Sequence, residues 1–221
     1  MFNNVLGLKP LNPNIIITSV FIANLISGCK GDENKNDELS QPVILQQEEG
    51  QWSHLWTVNY DSSSIKFTAT EGEESFTGSF SRFDILIDFH VDDPTSGTIS
   101  ALIDLSTVSA GNADRDDMLA TQYFFDLKSY PIGRFFSDDI RMISEGRYEA
   151  HGTLSLKGIS KNIILPFELD HKTSVAQASA SYMIDRTDFQ IGTGAYSGTD
   201  KVGYNVNVDI FVGAKRLETQ K

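Results

Sequence analysis

From Trp52 onward, apolar and polar residues alternate with a period of two. That period marks β-strands with one face turned to a core and the other to water. Ile65, Phe67 and Ala69 alternate with Ser64, Lys66 and Thr68, and after a turn at Glu71-Gly72-Glu73-Glu74 come Phe76, Gly78 and Phe80. Phe83, Ile85, Ile87 and Phe89 interleave with Asp84, Leu86, Asp88 and His90. Beyond the turn residues Asp92-Asp93-Pro94 and Ser96-Gly97, Ile99, Ala101, Ile103 and Leu105 form the next strand. The alternation returns in Phe135 to Ile143, Tyr148 to Leu156, Ile163 to Leu169 and Ala176 to Ile184. A last strand carries Val202, Tyr204, Val206, Val208, Ile210 and Val212. About eight antiparallel strands, each with one polar face, predict an all-β sandwich or small barrel.

One stretch breaks the period. Asn112-Ala113-Asp114-Arg115-Asp116-Asp117-Met118-Leu119 runs on through Phe124-Phe125-Asp126 to Tyr130-Pro131. Asp114 followed by Asp117 resembles an N-cap with a carboxylate at the third helical position, a placement that also suits the helix dipole. Met118, Leu119, Phe124, Phe125 and Leu127 supply apolar side chains around the helix end, and Pro131 biases Tyr130 toward extended backbone. The segment is expected to be a short helical insert with an aromatic plug, laid across the barrel as a lid.

The amino-terminal region has a different character. The apolar run Ile15 to Ile26 is short for a permanent membrane span, and it ends Leu25-Ile26-Ser27-Gly28-Cys29. Residues 1–28 therefore read as an export signal. The end of this segment looks like a bacterial lipobox, in which Cys29 would be lipidated and become the new terminus. Ile26 stands where that pattern more often has Leu. Two or three acyl chains on Cys29 would give a stable anchor to a bacterial membrane, with the protein facing the periplasm. Residues 29–50 are polar and acidic and read as a flexible tether, residues 51–217 as the barrel domain, and 218–221 as a polar tail.

Charge and chemistry narrow the function. Acidic residues outnumber basic ones by 30 to 18, so the surface repels nucleic acid and anionic headgroups. A single cysteine excludes an internal disulfide framework and a cysteine-rich metal site. The four histidines are scattered without metal-ligand spacing, and His151 is expected on the outer face of its strand. Asp114, Asp116 and Asp117 lack the glycine and distal glutamate of a calcium loop. Asp84, Asp88, Asp138 and Asp139 are expected to face water, and Asp185-Arg186-Thr187-Asp188 to hold a local ion pair at a strand end. Gly192-Thr193-Gly194-Ala195-Tyr196-Ser197-Gly198 lacks the spacing and following helix of a phosphate loop. With no GxSxG elbow either, no constellation points to an enzyme.

An eight-stranded barrel is just wide enough to be filled by side chains or to hold one small ligand. The inward set mixes many Phe with the small row Ala176, Ala178 and Ala180 and with Gly78 and Gly152, which leaves room for a slender apolar guest unless bulky neighbours across the barrel fill the gaps.

Three motifs point to a family. Ala113-Asp114-Arg115-Asp116, Met118-Leu119, Phe124-Phe125-Asp126 and Lys128-Ser129-Tyr130-Pro131 resemble the A-D-R-D-x-H-L, F-F-D and K-Y-P series of the YceI-like, polyisoprenoid-binding family, with Met118 where His is frequent. Gly152-Thr153-Leu154-Ser155-Leu156-Lys157-Gly158-Ile159-Ser160-Lys161 is similar to its G-x-L-T-I-x-G-V-T-K. Asp185-Arg186-Thr187-Asp188-Phe189-Gln190-Ile191-Gly192 is similar to its x-R-x-D-F-G-I-G, with Gln190 in place of Gly. The carboxylates of Glu71, Glu73 and Glu74 also depart from the neutral entrance expected of such a barrel.

The resemblance implies an extended lipocalin-like antiparallel β-barrel whose interior takes a long isoprenoid or fatty chain without a covalent cofactor. It also implies export and, for some members, association with b-type cytochromes of the membrane. Alternation and resemblance together place Phe67, Phe80, Ile103, Phe124, Phe125, Phe135, Leu154, Phe167, Ala178 and Tyr182 against the ligand. The leading expectation is a lipid-anchored, non-enzymatic carrier of a quinone, polyprenyl or fatty chain. The alternative is a packed barrel that docks a membrane redox protein. Such a barrel can also pair with a copy of itself, and the sequence leaves a homodimer open.

Overall fold

The computed structural model describes residues 55–172 and 174–216, so the export signal, Cys29, the tether and the polar tail lie outside the described residues. Among the described residues ten strands are formed: β1 Leu55–Glu71, β2 Glu74–Phe80, β3 Phe83–His90, β4 Asp93–Asp104, β5 Val108–Ser109, β6 Ile132–Ser144, β7 Arg147–Leu156, β8 Ile159–Lys172, β9 Val175–Asp185 and β10 Asn205–Arg216. One α-helix, α1, spans Ala113–Ala120.

Eight strands close a ring in the order β1-β10-β9-β8-β7-β6-β4-β3, with β3 returning to β1, and every pairing is antiparallel. β2 and β3 run in succession along the same side of β1, β2 against its second half and β3 against Leu55 and Trp56. Inward residues from all sides form one core that includes Trp56, Phe67, Phe89, Phe135, Ile140 and Leu154.

Three irregularities shape the barrel. Between Asn59 and Ser64, β1 advances five residues while β10 advances two. This odd slip moves the inward face from Trp56 and Val58 to Ile65, Phe67 and Ala69, and Ser63 patches it by accepting from Gly213 N at 3.1 Å. In β6 the register shifts between Ser137 and Asp139, which keeps both Phe135 and Ile140 inside. Finally, β8 and β9 pair only over Phe167–Lys172 and Val175–Ala180. Beyond that point β8 keeps only β7 and β9 only β10, leaving a seam in the wall. A salt bridge of 3.1 Å from Lys161 Nζ to Asp188 clips its far end.

The insert is a lid, as its composition predicts, but its cap differs. The N-cap is Asn112, whose side chain accepts from Arg115 N, while Asp114 sits inside the first turn. Asp116 reaches back to accept from Ala110 N at 2.6 Å. Asn112 has the extended backbone of a cap, which aims its side-chain oxygen at the free N–H, and the carboxylates then serve the dipole. Two strand boundaries also move. Leu105 leaves β4 for a 3-10 turn, Leu105–Thr107. Val202 forms only an isolated bridge to Glu71 and Tyr204 is exposed, so the last strand begins at Asn205.

Candidate functional site

The barrel encloses a cavity of about 580 Å³, within the roughly 300–1,000 Å³ usual for small-molecule sites. Its wall is built strand by strand from the inward faces. β1 and β2 contribute Phe67 and Phe80, whose rings lie 5.7 Å apart, and β4 contributes Ile103. β6, β7 and β8 contribute Phe135, Leu154 and Phe167, and β9 contributes Ala178 and Tyr182. The insert adds Phe124 and Phe125, the latter 6.1 Å from the Phe80 ring. All ten residues singled out in the sequence thus surround one cavity. Val206, Val208, Ile210 and Val212 on β10, read as alternating in the sequence but not placed against the ligand, line the cavity as well, together with Ala214.

One end of the cavity is bordered by aromatic rings. Phe89, Tyr148 and Phe167 pack as a cluster, with Phe89 edge-on to Tyr148 at 5.4 Å and Tyr148 stacked on Phe167 at 5.3 Å. Burial pushes the Tyr148 phenol above its ordinary pKa. Trp56 joins the wall there and satisfies its indole by donating to Phe89 O at 2.8 Å.

The other end is polar and reaches solvent, because its lining includes the exposed Glu71, Asn112 and Asp114. Arg115 projects from α1 and donates from Nε and Nη2 to Glu71 at 3.1 and 2.8 Å and from Nη1 to Ala110 O at 3.0 Å. Its guanidinium lies 4.0 Å over the Phe76 ring. The acidic entrance expected from Glu71 is therefore neutralised by a partner forty-four positions away.

The two inward glycines do not open space. A side chain at Gly78 would strike the Phe67 ring opposite, and one at Gly152 would strike Phe136 O and the Phe135 ring. These glycines let large rings lie flat against the wall, so the room comes from the Ala176, Ala178 and Ala180 row.

Arg186 overturns the expected surface ion pair. It is only 2% exposed, and no carboxylate bridges it. Nε donates to Gly203 O at 2.9 Å, and Nη1 to Ile191 O and Gly192 O at 2.7 and 2.8 Å. Nη2 donates to Tyr196 O, Gly198 O and Val202 O at 2.7, 3.1 and 2.9 Å. Burial lowers its pKa, but guanidinium starts so high that it remains a cation. The glycine-rich loop thus turns carbonyls inward around a cation, the opposite polarity from a phosphate loop. Its scaffold holds the polar end together, with Lys157 Nζ donating to Gln122 O and Gln190 O at 2.8 and 2.7 Å.

Two smaller effects are testable here. Gln190 adopts φ 52, the left-handed region. That explains why a Gly suits this position in the motif. Gln190→Gly is expected to raise the chemical-denaturation stability by about 1 kcal/mol, and no gain would mean the backbone is unstrained. Asp185 caps the following 3-10 turn by accepting from Thr187 Oγ1 at 2.6 Å and Thr187 N at 2.9 Å, bonds that hold its carboxyl below the ordinary value. A depressed carboxyl pKa stabilises the fold above the unfolded value and loses that contribution as pH falls through the folded one. Asp185→Ala should then cost about 1 kcal/mol at neutral pH, and the difference should fade in acid. A pH-independent cost would show that the cap acts without its charge.

Other polar candidates remain on the outer face. His151 Nε2 lies 3.1 Å from Glu149, and Asp139 pairs with Arg141. Among the described residues no cluster of His, Cys, Asp and Glu has the makings of a metal site.

Comparison with known proteins agrees with this architecture. BcnA of Burkholderia cenocepacia has the same fold, with a TM-score of 0.69 at 22% identity, covering 71% of this chain and 99% of that one. A polyisoprenoid binding domain from Saccharophagus degradans gives 0.59 at 13% identity, covering 75% and 99%. A UPF0312 protein of Photorhabdus laumondii is 29% identical over 42% of this chain, and the match spans 47% of that protein, about half its length. The model of the YceI-like domain matches residues 56–214, a span that contains all but the outermost residues of the barrel, the lid and the whole cavity wall. The chain belongs to the YceI-like family.

Proposed function

We propose that this protein is a non-enzymatic lipid binder that sequesters or carries a long isoprenoid, such as a quinone or polyprenyl chain, or a fatty chain inside the barrel. The observation that carries this reading is the cavity itself: a space walled mostly by aromatic and aliphatic side chains, bordered by rings at one end and most polar at its open end. Each methylene moved from water into such a space contributes about 0.8 kcal/mol, so a long chain binds with few polar contacts. Phe67, Phe80, Ile103, Phe124, Phe125, Phe135, Leu154, Phe167, Ala178 and Tyr182 are proposed to touch it. The polyisoprenoid binding domain of Saccharophagus degradans supports the reading through the shared fold. The apolar lining of the cavity favours this reading over the alternative, a barrel that docks a membrane redox protein.

The test is to purify the protein expressed from its full-length sequence, extract it with organic solvent and identify the extract by mass spectrometry. A near-stoichiometric isoprenoid or fatty chain supports the reading. An empty extract, together with no binding of added quinones, polyprenols or fatty acids, would end it.

The anchor is part of the same proposal: export by residues 1–28 and lipidation at Cys29, placing the barrel at a bacterial membrane on its periplasmic side. Cys29→Ser is expected to move the protein from the membrane fraction to the soluble fraction. Retention in the membrane would rule out Cys29 as the anchor.

A further inference from the structure

We propose that the cavity selects uncharged headgroups and discriminates against anionic lipids carrying the same chain. This rests on the lipid-binding reading of the cavity and adds the chemical class of the headgroup. Four charged residues belong to the lining: Glu71, Asp114, Arg115 and Arg186.

Neither cation is available to neutralise an anion. Arg186 has all three of its nitrogens committed to six backbone carbonyls and is almost fully buried. Arg115 is bound through Nε and Nη2 to the Glu71 carboxylate, through Nη1 to Ala110 O, and is flattened over Phe76. The Glu71–Arg115 pair carries no net charge. An anion approaching Arg115 also approaches Glu71, so the Coulomb attraction and repulsion largely cancel.

The surroundings lean the same way. Asp114 is an exposed carboxylate on the first turn of α1, Glu73 lies in the turn that follows β1, and Glu74 opens β2. The positive end of α1 is already met by the Asn112 side chain and by Asp114 and Asp116. One cation leans the other way: outside the lining, the ammonium of Lys201 stands 5.1 Å over the Tyr196 ring, where the ring face already holds it. A phosphate or carboxylate seated at the open end would give up water without gaining a lining cation whose donors are free, because those of Arg186 are spent on carbonyls and Arg115 is held by Glu71.

An uncharged oxygen faces no such cost. Three bonds from Arg115 leave guanidinium hydrogens to spare, since the group has five donors, and a quinone carbonyl or an alcohol can accept one.

The experiment compares geranylgeraniol with geranylgeranyl phosphate, which differ only in the headgroup, on the full-length protein, reading dissociation constants from tryptophan fluorescence. Trp56 at the cavity wall serves as the reporter. The alcohol is expected to bind at least about tenfold more tightly. In Glu71→Gln, which leaves Arg115 with uncompensated charge, the gap should narrow by roughly tenfold, with circular dichroism confirming the fold. If the phosphate bound as tightly as the alcohol, the charge rule would be overturned while lipid binding stood. An unchanged gap in Glu71→Gln would also overturn it, by removing the ion pair as the cause. If neither lipid bound, the lipid-binding reading would fall and the headgroup rule with it.

Discussion

Replacing Arg186 by Leu is expected to destabilise the barrel by roughly 3–5 kcal/mol, the cost of breaking a buried charged network from one side. Six carbonyls on Ile191, Gly192, Tyr196, Gly198, Val202 and Gly203 lose their donor together. Leucine fills part of the volume but offers no N–H, so those carbonyls must find water by unravelling the loop. Against a typical total stability of about 5–15 kcal/mol, that loss is a large fraction.

Arg186→Lys should recover only part of it, because an ammonium has three donors on a flexible stem and cannot reproduce the planar fork. Gly192→Ala approaches the same site from the other side. Its φ of 78 disfavours any side chain, and the new Cβ would run into Arg186 Nη1. Chemical denaturation gives the magnitudes. Hydrogen exchange gives the location, since residues 190–204 should lose protection before the strands of the ring do. A loss below about 1 kcal/mol in Arg186→Leu would show that the carbonyl cage is solvated at little cost.

Ala178→Phe carries the largest expected effect on function. Ala178 sits on β9 between Leu169 of β8 and Val212 of β10, facing the cavity. A phenyl ring there enters empty space, so two measurements should move in opposite directions. The ligand-free protein should gain stability, as cavity-filling substitutions commonly yield about 0.5–2 kcal/mol. Lipid affinity should fall at least about tenfold, because displacing two methylenes of chain already costs about 1.6 kcal/mol. Gln177→Phe, on the exposed face of the same strand, is the control for adding a ring to β9. Undiminished lipid binding in a folded Ala178→Phe protein would take Ala178 out of the ligand's path. A fall in stability would show that the site has no spare volume.

Much of this was legible in the order of residues. The period of two assigns inward faces on its own, because successive side chains in a strand must point to opposite sides. That is why Phe67, Phe135, Leu154, Ala178 and Tyr182 are found around one cavity. The insert was equally legible: Asp114, Asp116 and Asp117 ahead of Met118 and Leu119 interrupt that period with acids suited to the start of a helix.

The tertiary structure decided the rest. Alternation is blind to register, so it missed the slip at Asn59–Ser64, the succession of β2 and β3 along β1, and the seam between β8 and β9. Gly78 and Gly152 read as open space, and only the ring across the strand pair reveals them as filled. The Glu71–Arg115 pair joins residues that no local pattern connects. The sharpest case is Arg186, whose partners are backbone carbonyls. Every residue carries a carbonyl, so no side-chain pattern marks the six that converge on it. Periodicity and side-chain chemistry are local properties and survive in the sequence. Register, ring closure and the direction of backbone dipoles are set by long-range contacts, and they exist only once the chain has folded.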